Sequence, residues 1–157
     1  MRRALAGLFC IASCVTAPDA ARSTTAEPVR RGLADVIKVE PRGSSGSYLF
    51  LVTVRSPDTG CDRYADWWEV ITPAGELVYR RVLGHSHAKE QPFARSGGPV
   101  DVSEEQEVIV RAHMHRGGYG GAALRGSALT GFEPTELAPD FAQGLASEAP
   151  LPQGCAF

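Results

Sequence analysis

The stretch Glu107-Val108-Ile109-Val110-Arg111-Ala112-His113-Met114-His115 decides the fold. Val108, Val110, Ala112 and Met114 alternate with Glu107, Ile109, Arg111, His113 and His115. That is the period of two of a half-buried strand; a helix would scatter each set around its circumference. The first set is assigned to the core. Outward from this stretch the same texture recurs in residues 35–40 (DVIKVE), 47–56 (SYLFLVTVRS), 65–72 (ADWWEVIT), 76–83 (ELVYRRVL), 99–102 and 122–129. These segments are β-branched or aromatic and end at turn residues such as Pro57-Asp58-Thr59-Gly60 and Pro73-Ala74-Gly75,. No helix of useful length fits between them. About seven short strands that must each bury one face predict an all-β domain. The expected architecture is a single antiparallel β-sandwich of the immunoglobulin or fibronectin type III sort, with a closed barrel as its structural rival.

Composition narrows the function classes. The chain has 157 residues, 43% hydrophobic and 22% charged, which suits one globular domain,. Its 16 basic against 18 acidic side chains offer no basic footprint, so no nucleic-acid partner is expected,. No apolar run approaches the roughly 20 residues of a spanning helix.

Met1-Arg2-Arg3 followed by the apolar residues 4–13 has the layout of an export signal,. Within it, Ile11-Ala12-Ser13-Cys14 resembles the lipobox of bacterial lipoproteins. The resemblance covers only the signal segment. It implies that Cys14 is acylated, becomes the new amino terminus and anchors the chain on the periplasmic or cell-surface face of a bacterial membrane. The expected organisation is then a signal peptide over 1–13, a flexible tether over 14–32 rich in Ala, Thr, Ser, Pro and Arg, the sandwich over 33–132, and an irregular tail over 133–157,. Arg30-Arg31 in the tether would lie near anionic headgroups, and Arg80-Arg81 reads as a solvated pair,. Of the other three cysteines, Cys10 falls in the expected signal, and Cys61 and Cys155 are expected to bridge in an oxidising compartment and so staple the tail,.

All 4 histidines fall into two H-x-H pairs, His85-Ser86-His87 and His113-Met114-His115. On a strand, residues i and i+2 share a face about 6.6 Å apart, so each pair can present two imidazoles to one ion. If the strand before His85 and the strand of His113 flank the tryptophan strand, both pairs reach the same end of one sheet, about 10 Å apart between backbones. Glu90, Asp62 or Asp66 would supply an oxygen ligand, a set suited to zinc or copper(II). The plain alternative is that histidines on the polar face of a strand need no ion.

No H-E-x-x-H helix accompanies the histidines, and Ser86-His87-Ala88-Lys89 lacks the partner motifs of the penicillin-binding enzymes,. Gly118-x-Gly120-x-x-Ala123 lacks the βαβ setting of a dinucleotide site,. Trp67-Trp68 places one indole on each strand face,. Trp68 is assigned to the core, and an exposed Trp67 with Tyr119 would form a ligand platform.

Residues 61–67 (CDRYADW), 85–93 (HSHAKEQPF) and 116–121 (RGGYGG) together resemble small uncharacterised exported bacterial proteins, a resemblance that carries no catalytic residue across. The sequence therefore reads as an exported, lipid-anchored binding or structural module with an envelope protein as partner. The alternative is a small metal-dependent enzyme at His85, His87, His113 and His115.

Overall fold

The computed structural model describes residues 32–156 together with Met1. The expected signal, Cys14 and the tether up to residue 31 lie outside the described residues. Eight strands form among the described residues: β1 (Asp35–Arg42), β2 (Tyr48–Arg55), β3 (Ala65–Ile71), β4 (Leu77–Val82), β5 (Phe93–Val100), β6 (Val108–Met114), β7 (Ala123–Ser127) and β8 (Gly131–Thr135). They build two antiparallel sheets, β1-β2-β5 and β4-β3-β6-β7-β8. The chain is a β-sandwich, in the strand order of the fibronectin type III arrangement with β8 added at one edge.

Alternation makes the core. Phe50, Val52 and Val54 of β2 face Trp68 and Val70 of β3 and Val108, Val110, Ala112 and Met114 of β6, all buried in one cluster between the sheets. Phe50 meets Phe132 edge-on at 5.8 Å and so ties β8 to the three-stranded sheet. Trp68 needs a gap in the facing strand, and Gly97 of β5 provides it. A Cβ there would stand 2.7 Å from the Trp68 ring and 2.8 Å from Tyr79, and such a close approach admits only glycine.

Three expectations are corrected. The strand expected at 99–102 instead begins at Phe93 and ends at Val100 as β5, since Ser96 and Gly97 pair with β2 despite their low strand propensity,. The segment expected at 122–129 is split into β7 and β8 by a turn, and the boundary drawn at residue 132 falls inside β8. Finally, the outward face of β3 and β6 is not open to solvent. Every residue of β3 is buried, and Ile109 and Arg111 of β6 are buried as well. A second apolar cluster explains this: Trp67, Ile71, Ile109, Tyr119 and Ala123 are covered by Leu137, Phe141, Ala142, Leu145 and Ala146 of the tail.

The tail holds one short 3-10 turn, Gln143–Ser147, and ends at the disulfide Cys61–Cys155, 94 positions apart in sequence. The sulfur bridge fastens the end of the tail to the loop between β2 and β3. Close by, Ala156 donates its N–H to the Gly84 carbonyl at 2.8 Å.

Candidate functional site

The outward face of the five-stranded sheet carries a buried cluster of charged side chains. Glu69, Arg80 and Arg111 stand on adjacent strands, with Glu69 opposite Arg80 across one pairing and opposite Arg111 across the other. Period-two geometry sends all three side chains to the same face. Arg80 donates to Glu69 Oε2 through Nη2 at 2.6 Å and Nε at 2.9 Å, and Arg111 Nε donates to Glu69 Oε1 at 2.8 Å. Trp67 Nε1 adds a fourth donor at 3.1 Å. The Glu69 and Arg80 side chains are fully buried, so Arg80 is not half of a solvated pair. The tail that covers the sheet removes it from water.

The two guanidiniums then reach the tail through its backbone. Arg80 donates to the carbonyls of Leu145 (2.7 Å), Pro150 (3.2 Å) and Glu148. Arg111 donates to those of Phe141 (2.8 Å) and Ala142 (2.9 Å). An irregular segment leaves its carbonyls without ladder partners, and the arginines satisfy these. Both cations also lie over aromatic faces, Arg80 4.5 Å from the Trp67 centroid and Arg111 3.5 Å from that of Tyr119,. Trp67 and Tyr119, expected as an exposed platform, are 2% and 9% exposed and serve instead as a buried wall. Burial, with Glu69 nearby, pushes the Tyr119 hydroxyl up to about 12, so it stays neutral at physiological pH.

His113 stacks on Trp67 at 3.8 Å with the rings 3° from parallel, and its Nδ1 lies 2.7 Å from Asp66 Oδ1. An ionised carboxylate only accepts, which fixes the ring proton on Nδ1. His115 is half-exposed, with Nδ1 3.9 Å from the other oxygen of Asp66 and its ring 5.4 Å from Tyr64. The other pair has different company. His87 is buried and stacks on Phe93 of the inner core at 3.7 Å, with the exposed His85 ring 4.4 Å away. Neither ring nitrogen of His87 has a hydrogen-bond partner among the described residues. Burial, together with the Arg95 cation and the neighbouring His85 ring, pushes His87 down to about 4 and keeps it neutral. Beneath it, Asp58 is a buried acceptor for the backbone N–H of Ala65 (2.9 Å) and of His87 (2.8 Å) and for the Ser56 hydroxyl (2.6 Å).

The strand order does bring β4 and β6 to either side of β3, as the paired-histidine reading required. The imidazoles nevertheless separate, His87 toward the inner core and His113 onto the outward face. Glu90, the expected oxygen ligand, makes a two-pronged ion pair with Arg95 that holds its carboxyl below the usual range. Asp62 lies 3.4 Å from Arg116. Among the described residues no group of three or more His, Cys, Asp or Glu side chains is placed to hold a metal ion.

A cleft of about 380 Å³ opens between the tail and the loop that follows β6, lined by Leu33, Arg111, Tyr119, Gly121, Leu137 and Gln143 among others. Glu69, Arg111 and the cleft were not singled out from sequence, and Arg80 was read only as a solvated charge. The signal for them was present: charges within three strands, and Leu137, Phe141 and Leu145 spaced four apart to cover them.

No described protein family matches the chain. No solved structure matches it. It is similar to a protein of Halomicrobium mukohataei named "Putative lipoprotein", with 42% identity over 93 residues, 58% of this chain. The matched region spans 45% of that relative's length.

Proposed function

We propose that the chain is an exported, lipid-anchored module of the cell envelope, attached through Cys14 and presenting the sandwich as a binding or structural unit. The observation that carries this reading is the 42% identity to a protein named a lipoprotein. Two features support it: the Ile11-Ala12-Ser13-Cys14 motif at the end of an apolar segment, and the Cys61–Cys155 disulfide, which suits an oxidising compartment,. A single acyl chain binds a membrane only marginally, so the anchor would carry two or more chains.

The test is expression of the full chain beside a Cys14→Ser variant in a bacterial host fed labelled fatty acid. Label on the wild type, recovery in the membrane fraction, and loss of both in Cys14→Ser are expected. An unlabelled wild type, or a variant that fractionates with the membrane as the wild type does, would overturn the anchor.

A further inference from the structure

The cleft beside Tyr119 backs onto an ion cluster whose charges do not cancel. Glu69 carries one negative charge and Arg80 and Arg111 one positive charge each, and Tyr119 is neutral. Within this group of side chains one positive charge is therefore in excess, and Glu69, Arg80 and Arg111 are all buried. The tail carbonyls solvate that excess with their dipoles but leave it uncompensated.

A count of donors separates the two arginines. A guanidinium has five N–H bonds. Those of Arg80 are taken up by Glu69 and by the carbonyls of Leu145, Glu148 and Pro150. Arg111 makes one bond each from Nε, Nη1 and Nη2, which leaves one N–H on each terminal nitrogen without an acceptor among the described residues. Arg111 lines the cleft and Arg80 does not. The other walls are mixed: Leu33, Leu137 and the Tyr119 ring are apolar, and Gln143 is polar. A volume of about 380 Å³ falls in the range of small-molecule sites,.

We propose that this cleft binds a small organic carboxylate, with the anion at Arg111 and an apolar body against Leu33, Tyr119 and Leu137. One excess charge matches a monoanion, and a planar carboxylate matches the guanidinium fork; a dianion such as phosphate would overbalance the site. The proposal is independent of Cys14 and of the anchor.

The test is titration of the full chain with benzoate and phenylacetate beside their uncharged amides and inorganic phosphate. Calorimetry gives the affinities, and backbone and Arg side-chain NMR shifts give the place. One carboxylate per chain is expected, bound at least about tenfold more tightly than its amide, with shifts at Gly121, Leu137 and the Arg111 Nε–H. Ala138 is exposed on the cleft wall and is not itself bonded to Arg80 or Arg111. An Ala138→Trp variant fills the space and is expected to lose binding while melting as the wild type does. Equal affinity for acid and amide, tighter binding of phosphate, shifts elsewhere, or no carboxylate bound more tightly than about 1 mM would each overturn the proposal. If Ala138→Trp fails to fold, the acid-to-amide ratio and the shift map on the unaltered chain decide.

Discussion

Glu69 is the single side chain on which most of the outward face depends. It accepts from Arg80, Arg111 and Trp67, and no part of it reaches water. A Glu69→Gln change keeps the shape but leaves two buried guanidiniums without a counter-charge. The expected cost is about 3–5 kcal/mol, the range for breaking a buried ion pair by removing one partner. Urea unfolding of the two proteins measures it, and a cost below about 1 kcal/mol would assign the cluster no more weight than a surface pair.

His87 makes a prediction of the opposite kind, in pH. Its folded-state value of about 4 lies below the ordinary 6.5, so between these values the unfolded chain binds a proton that the folded chain refuses. Stability is complete above pH 6.5, declines as the pH falls, and the loss is finished near pH 4. It amounts to about 3 kcal/mol. Asp58, 3.9 Å from Nδ1, and Glu90 oppose the shift without reversing it. In a His87→Leu variant the slope of unfolding free energy across this window should flatten relative to the wild type, and an unchanged slope would show that other groups cause it.

Individual roles of this kind were only partly legible in the sequence. Val108, Val110, Ala112 and Met114 could be assigned to the core from alternation alone. The pairing of Glu69 with Arg80 and Arg111 could not, because it depends on the register between three strands and on a cover contributed some 70 residues further along the chain.

Among the elements, the tail departs most from its plainest reading. Its Pro, Ala and Glu content suggested an irregular appendage, and irregular it is, apart from one 3-10 turn. Leu137, Phe141 and Leu145 nevertheless seal a second core that the strand pattern alone gave no reason to expect. The disulfide closes a long loop, and replacing both Cys61 and Cys155 by serine is expected to lower stability by up to about 4–5 kcal/mol. Hydrogen exchange resolves where the loss falls. The amides of Leu145 and Glu148, which donate within the tail, should exchange faster in the double variant, while those of β2 and β6 keep their order of protection,. Equal slowing or equal loss across the molecule would mean that the tail and the sandwich open as one unit. Strand β5 was read short for a different reason: Ser96, Gly97 and Gly98 have poor intrinsic strand preference, and only the bulk of Trp68 opposite explains why glycine belongs there,.

For the whole molecule, class and layering followed from pattern. Eight short alternating strands with turn residues between them have few ways to bury their apolar faces, and two packed sheets is the one this chain adopts,. Pattern could not tell which histidines would meet. β4 and β6 do flank β3, but His85 and His87 lie beyond the end of β4, where the chain turns His87 onto Phe93 while His113 on β6 stacks on Trp67, a distinction that a count of H-x-H motifs does not contain.

The manner in which the arginines hold the tail bears on how the segment tolerates change. Arg80 and Arg111 grip main-chain oxygens, which every amino acid possesses. Side chains that are exposed there, such as those of Ser147 and Glu148, are free to vary without disturbing that grip. Spacing is not free: one residue inserted between Leu145 and Glu148 would shift the later carbonyls out of reach of a guanidinium fixed by Glu69. The tail is thus constrained in length, at the positions that face the sheet and at Cys155, and permissive where its side chains are exposed.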